Sequence, residues 1–150
     1  MSVHYCDEKA DNAIKAMVAG CVGTAIIPAA VNWTVLATAM GAGCVAIGNA
    51  YGVTLTKEEG WKLVKQFILG AGTMFLALNI GSKVFAMIAQ ATGIGYVGSA
   101  ALDGAISAAQ AWSVGACAKE YFRRDYLGKT KPSKEELGRI FKETFKKHKR

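Results

Sequence analysis

The sequence lacks the residues that most enzymes and metal sites need in the body of a domain. Its two histidines, His4 and His148, lie in the termini, so a Ser/His/Asp or Cys/His nucleophilic site has no candidate base between them. The cysteines are widely separated and show no CxxC or Cys/His spacing for zinc. Paired carboxylates are missing as well, because Asp103 is the only acid between Glu59 and Glu120. We therefore expect a non-enzymatic protein with no catalytic residue, no metal ligand and no cofactor.

Two short motifs resemble nucleotide-binding loops but lack the required context. Residues 93–98 match GxGxxG, yet no strand precedes them and no second strand with a ribose-binding acid follows. Gly128-Lys129-Thr130 ends like a phosphate-binding loop, but the first glycine of that motif would fall at Arg123. The first motif is better interpreted as a turn between helices, and the second as part of a linker.

A secretory signal is also missing, because the first dozen residues are polar and acidic. Three of the four cysteines lie in apolar helical sequence, where a free thiol behaves as a small hydrophobic group. A reducing, cytoplasmic setting fits this cysteine usage best. The four are Cys6, Cys21, Cys44 and Cys117.

Charged side chains are absent from residues 16–56, a run of 41 residues that must be buried either in protein or in lipid. Of these residues, 21 are Gly, Ala or Thr, and such small side chains let helix backbones approach closely. The run therefore predicts a tightly packed helical hairpin, within a soluble core or within a membrane. The predicted helix-packing positions are Gly20, Gly23, Pro28, Gly41, Gly48 and Gly52.

Local signals place the ends of the helices. Asp11 or Asn12 is expected to cap a first helix that begins near Ala13 and ends near Ile27. Pro28 then breaks the chain, and a second helix follows over about 29–51.

Further caps follow downstream. Gly52 is expected to end the second helix, and Thr56 with Glu59 forms a capping box that opens a third. Ser133 and Glu136 form a second capping box.

Three later uncharged runs, 66–82, 84–102 and 104–118, are short or diluted by polar residues. They suit soluble core helices or hairpins inserted part way into a bilayer. We predict an all-α fold of five or six helices, in which Gly/Ala-rich helical hairpins form a bundle.

Most of the net charge of +7 lies at the end of the chain, since residues 129–150 carry nine Lys/Arg and three Asp/Glu. Leu137, Ile140, Phe141 and Phe145 mark one face of an amphipathic C-terminal helix. This helix is expected to bind an anionic membrane surface or to dock its apolar face on its own domain. Nucleic acid is an unlikely partner, because no reading motif accompanies the basic residues. The residues predicted to bind an anionic surface are Lys134, Arg139, Lys142, Lys146 and Lys147.

The order of features from 12 to 98 resembles the YcjF-like domain-of-unknown-function family numbered 697 (DUF697). The likeness rests on the Ile27-Pro28 break, the segment 47–52, Lys83 and the glycines of 93–98. It is expected to cover about residues 10–125, with the tail beyond Gly128 outside it. In that family the domain often follows a GTPase module or occurs in bacterial inner-membrane proteins.

The resemblance thus implies membrane association through helical hairpins. Two features depart from the family pattern: Asn32 stands where an acid is frequent, and these 150 residues contain no GTPase module. Nucleotide-driven behaviour would therefore require a partner chain.

These observations predict a helical-hairpin domain over 1–128 and a basic amphipathic tail over 129–150. The expected function is a membrane-associated module on the cytoplasmic side that packs or homo-oligomerises through its hairpins and holds anionic lipid with its tail. The alternative is a soluble cytoplasmic adaptor that binds a GTPase or another protein.

Overall fold

The chain folds into α-helices in the computed structural model, which describes residues 2–22, 29–77 and 104–148. No strand occurs in these ranges, so the prediction of an all-α fold is confirmed. The helices are α1 (Val3–Val22), α2 (Ala29–Ala50), α3 (Lys57–Ala77), α4 (Gly104–Tyr126) and α5 (Lys134–His148).

Successive helices run in opposite directions. Between α1 and α2, the early Asp7 pairs with the late Tyr51, and Gly20 lies opposite Ala39. Between α4 and α5, Arg124 pairs with Glu136 near the connection, and Trp112 stacks on His148 far from it. α2 and α4 occupy the centre: α1 packs against both, α3 against α2, and α5 against α3 and α4.

This alternation gives the bundle two distinct ends. We call one the ionic end; it holds the start of α1 and the connections 51–56 and 127–133. We call the other the uncharged end; Val22, Ala29, Ala77 and Gly104 all terminate their helices there. α5 begins at the ionic end and finishes beside Trp112, eight residues along α4 from Gly104, or about 12 Å from the uncharged end.

The core includes the tail helix. Leu137, Phe141 and Phe145 lie on one face of α5 and are each no more than 2% exposed. They belong to the same cluster as Met40 and Phe67 of the hairpin helices. Of the two possibilities for the tail, docking of the apolar face on its own domain is therefore observed.

The first helix begins ten residues earlier than Ala13, so the prediction of its start was wrong. Its buried residues Cys6, Ala10, Ile14 and Met17 recur at helical spacing and continue the apolar face back to the first turn. Asp11, predicted as a cap, instead lies within the helix and pairs with Lys119.

The predicted caps at the end of α2 and at the start of α3 are confirmed. Gly52 has φ of +80°, and the N–H groups of Gly52 and Val53 donate to Asn49 and Gly48 in a Schellman arrangement. At the start of α3, the N–H of Thr56 donates to Glu59 at 3.1 Å, while the N–H of Glu59 donates to the Thr56 hydroxyl at 3.2 Å.

The start of α5 is capped in a related way. The N–H of Glu136 donates to the Ser133 hydroxyl at 3.2 Å. Gly128, with φ of +70°, ends α4 in a second Schellman arrangement. The predicted linker that begins at Gly128 therefore follows a defined C-terminal cap of α4 and leads into a defined N-terminal cap of α5.

Candidate functional site

Ion pairs between distant parts of the chain gather at the ionic end. The Nε of Arg123 donates to both carboxylate oxygens of Asp7 at 3.2 and 3.3 Å, and the Tyr51 hydroxyl donates to the same carboxylate at 2.6 Å. Lys119 pairs with Asp11 at 2.8 Å. These contacts join α1 to α2 and α4, so they fix the relative positions of three helices.

A second group joins α4 to the tail. Arg124 pairs with Glu120 at 2.8 Å and with Glu136 at 2.6 Å. The backbone N–H of Glu136 donates to the capping Ser133 hydroxyl, while its carboxylate pairs with Arg124, so Glu136 links the end of α4 to the start of α5. This contact fixes the direction in which the basic tail helix leaves the connection.

The carboxylate of Asp7 is held in its charged form. Burial acts to raise its pKa, but the hydrogen bonds from Tyr51 and Arg123 and the positive charges nearby outweigh burial, so the pKa lies below the ordinary value of 3.8. For Tyr51, burial and the neighbouring carboxylate raise the pKa. The pair therefore consists of a neutral phenol and an anion at neutral pH.

Acidification is expected to lower the free energy of unfolding through Asp7. Because the folded pKa is depressed, its contribution is complete above pH 3.8 and is lost as the pH falls through the folded pKa. Urea unfolding at pH 5 and pH 3 should show a smaller difference in Asp7→Asn than in the wild type, by about 1 kcal/mol. Glu8→Gln, an exposed neighbour, should keep the wild-type difference. An unchanged pH dependence in Asp7→Asn would contradict this role.

At the uncharged end, four helices bring together segments that contain no charged side chain. These are residues 16–22 of α1, 29–50 of α2, 66–77 of α3 and 104–118 of α4, whose only ionisable side chains are the thiols of Cys21, Cys44 and Cys117. In the sequence these uncharged runs are separate from one another. The antiparallel order of the helices places one end of each run at the same end of the bundle. Within residues 2–22, 29–77 and 104–148, the charged side chains therefore lie toward the ionic end and along α5.

The predicted basic residues are spread along α5. Lys146 and Lys147 lie exposed in its last turn, and Lys142 is half-buried one turn earlier. Arg139 is exposed near the middle of the helix, and Lys134 is exposed at its start, beside the ionic end. At 1.5 Å per residue, Lys134 and Lys147 are about 20 Å apart along the helix axis. Of these five residues, Lys142, Lys146 and Lys147 are therefore nearest to the uncharged end.

An aromatic stack fixes the end of α5 in this position. The His148 ring lies over Trp112 of α4, with centroids 4.6 Å apart and an interplanar angle of 10°. Burial lowers the pKa of His148, and the charge of Lys147 lowers it further. The last turn of α5 is thus packed on α4 while its lysines remain accessible.

The predicted packing glycines have different surroundings. Gly41 lies against the backbone of Trp61, and Gly48 lies against Leu55 and Phe122. Gly20 is exposed, and in the described part of the chain only Ala39 lies near the position of an added Cβ; Gly52 serves the turn after α2. Contacts within one chain thus account for Gly41 and Gly48. The predictions for Gly23, Pro28, the turn at 93–98 and Asp103 lie outside the described residues.

A close approach of the α2 and α3 backbones involves a glycine that was not predicted. A Cβ on Gly60 would lie 2.6 Å from the carbonyl oxygen of Gly41. Gly115 of α4 similarly lies against Ile14 and Met17 of α1. The sequence did contain an indication for Gly60, because a glycine inside a predicted helix is unfavourable relative to alanine and therefore suggests a packing contact.

The buried thiols serve packing. Cys6, Cys44 and Cys117 are free and buried. Burial raises the pKa of Cys44 to about 12, and Cys117 donates to the carbonyl of Leu137 at 3.4 Å. Within 2–22, 29–77 and 104–148, no three His, Cys, Asp or Glu side chains are grouped so that they could hold a metal ion.

Among the helices of the described ranges, none combines the length and the hydropathy that a bilayer crossing requires. Comparison of the chain with curated proteins and with solved structures finds no match.

A family model does match, over residues 4–150. The match includes the basic tail, so the expectation that the tail lies outside the family was wrong. The chain belongs to the family described as a domain of unknown function, DUF697.

Proposed function

We propose that this domain is a non-enzymatic module that docks on an anionic membrane surface, on the cytoplasmic side, with its uncharged end toward the lipid. The observation that carries the proposal is that four uncharged helix segments end together, and that Lys142, Lys146 and Lys147 of α5 are the predicted basic residues nearest to that end. Moving helix segments without charged side chains out of water costs little desolvation free energy. The lysines of α5 would then lie among the phospholipid headgroups.

The arrangement of α5 determines the type of binding. Its apolar face is already buried against α3 and α4, so it does not insert that face into the acyl chains. What it offers is charge, at about 1 kcal/mol for each basic residue near an anionic surface. Three lysines therefore contribute about 3 kcal/mol, to which partial burial of the uncharged end adds a second, apolar contribution.

Vesicle sedimentation tests the proposal with the wild-type chain. We expect binding to vesicles that contain phosphatidylserine, weak binding to pure phosphatidylcholine, and loss of binding as salt shortens the screening length from about 10 Å at 0.1 M to about 3 Å at 1 M. Equal recovery in the supernatant with both lipids at low salt would refute it.

The adaptor alternative predicts a different result, namely no dependence on anionic lipid and a stable complex with a GTPase or another protein.

Homo-oligomerisation is a separate part of the proposal. Sedimentation velocity with and without vesicles would distinguish a monomer from an oligomer that forms on lipid.

A further inference from the structure

One of the two histidines of the sequence, His148, lies in the last turn of α5 beside Lys146 and Lys147. Histidine is the side chain whose charge ordinarily changes between about pH 5 and pH 8. The position of His148 therefore lets the pH change the charge of the turn that we propose to place near anionic lipid.

The imidazole is held in this position by its stack on Trp112. It is half-buried and lies parallel to the indole within 10°, at a centroid distance of 4.6 Å. The face of a tryptophan also attracts cations, so the stack can persist when the imidazole is charged. We therefore expect protonation of His148 to add a charge at a fixed place without releasing the end of α5.

Within the described part of the chain, the neighbouring helices bring no acidic side chain to the level of His148. α5 packs against α3 and α4, and the uncharged segments of these two helices have one ionisable side chain, the Cys117 thiol. Burial raises the pKa of this thiol, so it stays neutral. The nearest charged residues of α3 and α4, Lys65 and Lys119, lie toward the ionic end.

The charges that α5 itself places near His148 are mainly positive. Lys146 and Lys147 share its turn, whereas Lys142 and the exposed Glu143 lie more than one turn earlier. Burial lowers the pKa of His148 below the ordinary value of 6.5, and the charge of Lys147 lowers it further. In the unbound protein the imidazole is therefore largely neutral at neutral pH.

We infer that docking on an anionic membrane surface is coupled to protonation of His148, so that the domain binds more tightly as the pH falls below neutral. This inference rests on the proposed membrane docking. If the uncharged end enters the interface by about 5–10 Å, a ring about 12 Å from that end lies at the level of the headgroups.

The physical reason is the missing counter-charge. Anionic headgroups would supply the negative charge that the described part of the chain does not place beside the ring, and they would favour the imidazolium. Because coupling between two binding events is reciprocal, a lipid surface that favours protonation is itself bound more tightly by the protonated protein.

Vesicle sedimentation at pH 5 and pH 7.5 tests the inference, with phosphatidylglycerol as the anionic lipid because its headgroup charge is constant over this range. We expect the wild type to bind roughly fivefold more tightly at pH 5, the effect of one added positive charge near an anionic surface. His148→Gln should bind at both pH values as the wild type does at pH 7.5. His148→Arg, which is always charged and can stack on Trp112, should bind at both as the wild type does at pH 5.

The matched control is His4→Gln, which removes the other histidine, at the ionic end, and should keep the wild-type pH dependence. Equal wild-type affinities at the two pH values, or an unchanged pH dependence in His148→Gln, would overturn the inference and leave membrane docking intact. Absence of binding at both pH values would refute the docking and this inference with it.

A measurement on the wild-type chain is independent of the variants. NMR titration of the His148 imidazole should give a higher pKa in the presence of phosphatidylglycerol nanodiscs than in their absence. An equal pKa under the two conditions, with the protein bound to the nanodiscs, would also overturn the inference.

Discussion

Replacing Gly60 by alanine is expected to lower the free energy of unfolding by about 1–3 kcal/mol, the usual cost of overpacking a core. The added Cβ would lie 2.6 Å from the carbonyl oxygen of Gly41, which is backbone and cannot rotate away. To relieve the contact, α2 and α3 would have to separate. Because Val64 and Phe67 of α3 are fully buried in the shared core, this separation would loosen contacts along the hairpin.

The same substitution at Gly20 is expected to have the opposite sign. Gly20 is exposed within α1, and among the described residues an added Cβ would meet only the Cβ of Ala39, at 4.0 Å. Alanine there should stabilise the protein by about 0.5–1 kcal/mol, because glycine loses more backbone entropy in a helix. Urea unfolding of both variants measures the difference directly. Equal stability of Gly60→Ala and Gly20→Ala would contradict the close α2–α3 contact.

The two glycines show what sequence reasoning could and could not predict. The density of small residues in 16–56 indicates close helix packing, because glycine inside a helix is costly without a compensating contact. Composition does not say which glycine meets which backbone. Gly41 meets Gly60 only because α2 and α3 are paired in one particular register. Gly20, equally prominent in sequence, remains exposed.

Local chemistry was a better guide at the helix ends. The caps at Gly52 and Thr56 depend on neighbouring residues alone, and they were predicted correctly. The start of α1 depends on partners more than a hundred residues away, since Asp7 and Asp11 pair with Arg123 and Lys119. Without those partners, an acidic residue before an apolar run has the pattern of a cap.

The candidate site was predictable in its residue types but not in its arrangement. The basic residues of α5 could be identified from charge and helical period. Their relation to the uncharged runs depends on topology, because the antiparallel order of five helices brings Lys147 toward the uncharged end and leaves Lys134 at the ionic end. This difference in position makes an orientation test possible.

Replacing Lys142, Lys146 and Lys147 together by glutamine is expected to weaken binding to anionic vesicles by about 3 kcal/mol, or roughly a hundredfold. The reason is that, of the basic residues of α5 named above, these lysines are nearest to the end of the bundle that we propose to face the lipid. The measurement is the vesicle concentration at half-maximal sedimentation, in the same lipid and salt as for the wild type. Unfolding curves should stay close to those of the wild type, because Lys146 and Lys147 are exposed and Lys142 is only half-buried.

The matched control replaces Lys57, Lys129 and Lys134, which removes the same charge from the ionic end. Lys134 lies about 20 Å from Lys147 along α5. That separation is more than twice the screening length of about 8 Å at physiological ionic strength, so these three charges should hardly contribute. Equal losses in the two triple variants would mean that only net charge matters, and the proposed orientation would then be wrong. A large loss in the first triple variant with near wild-type binding in the second would place the uncharged end against the membrane.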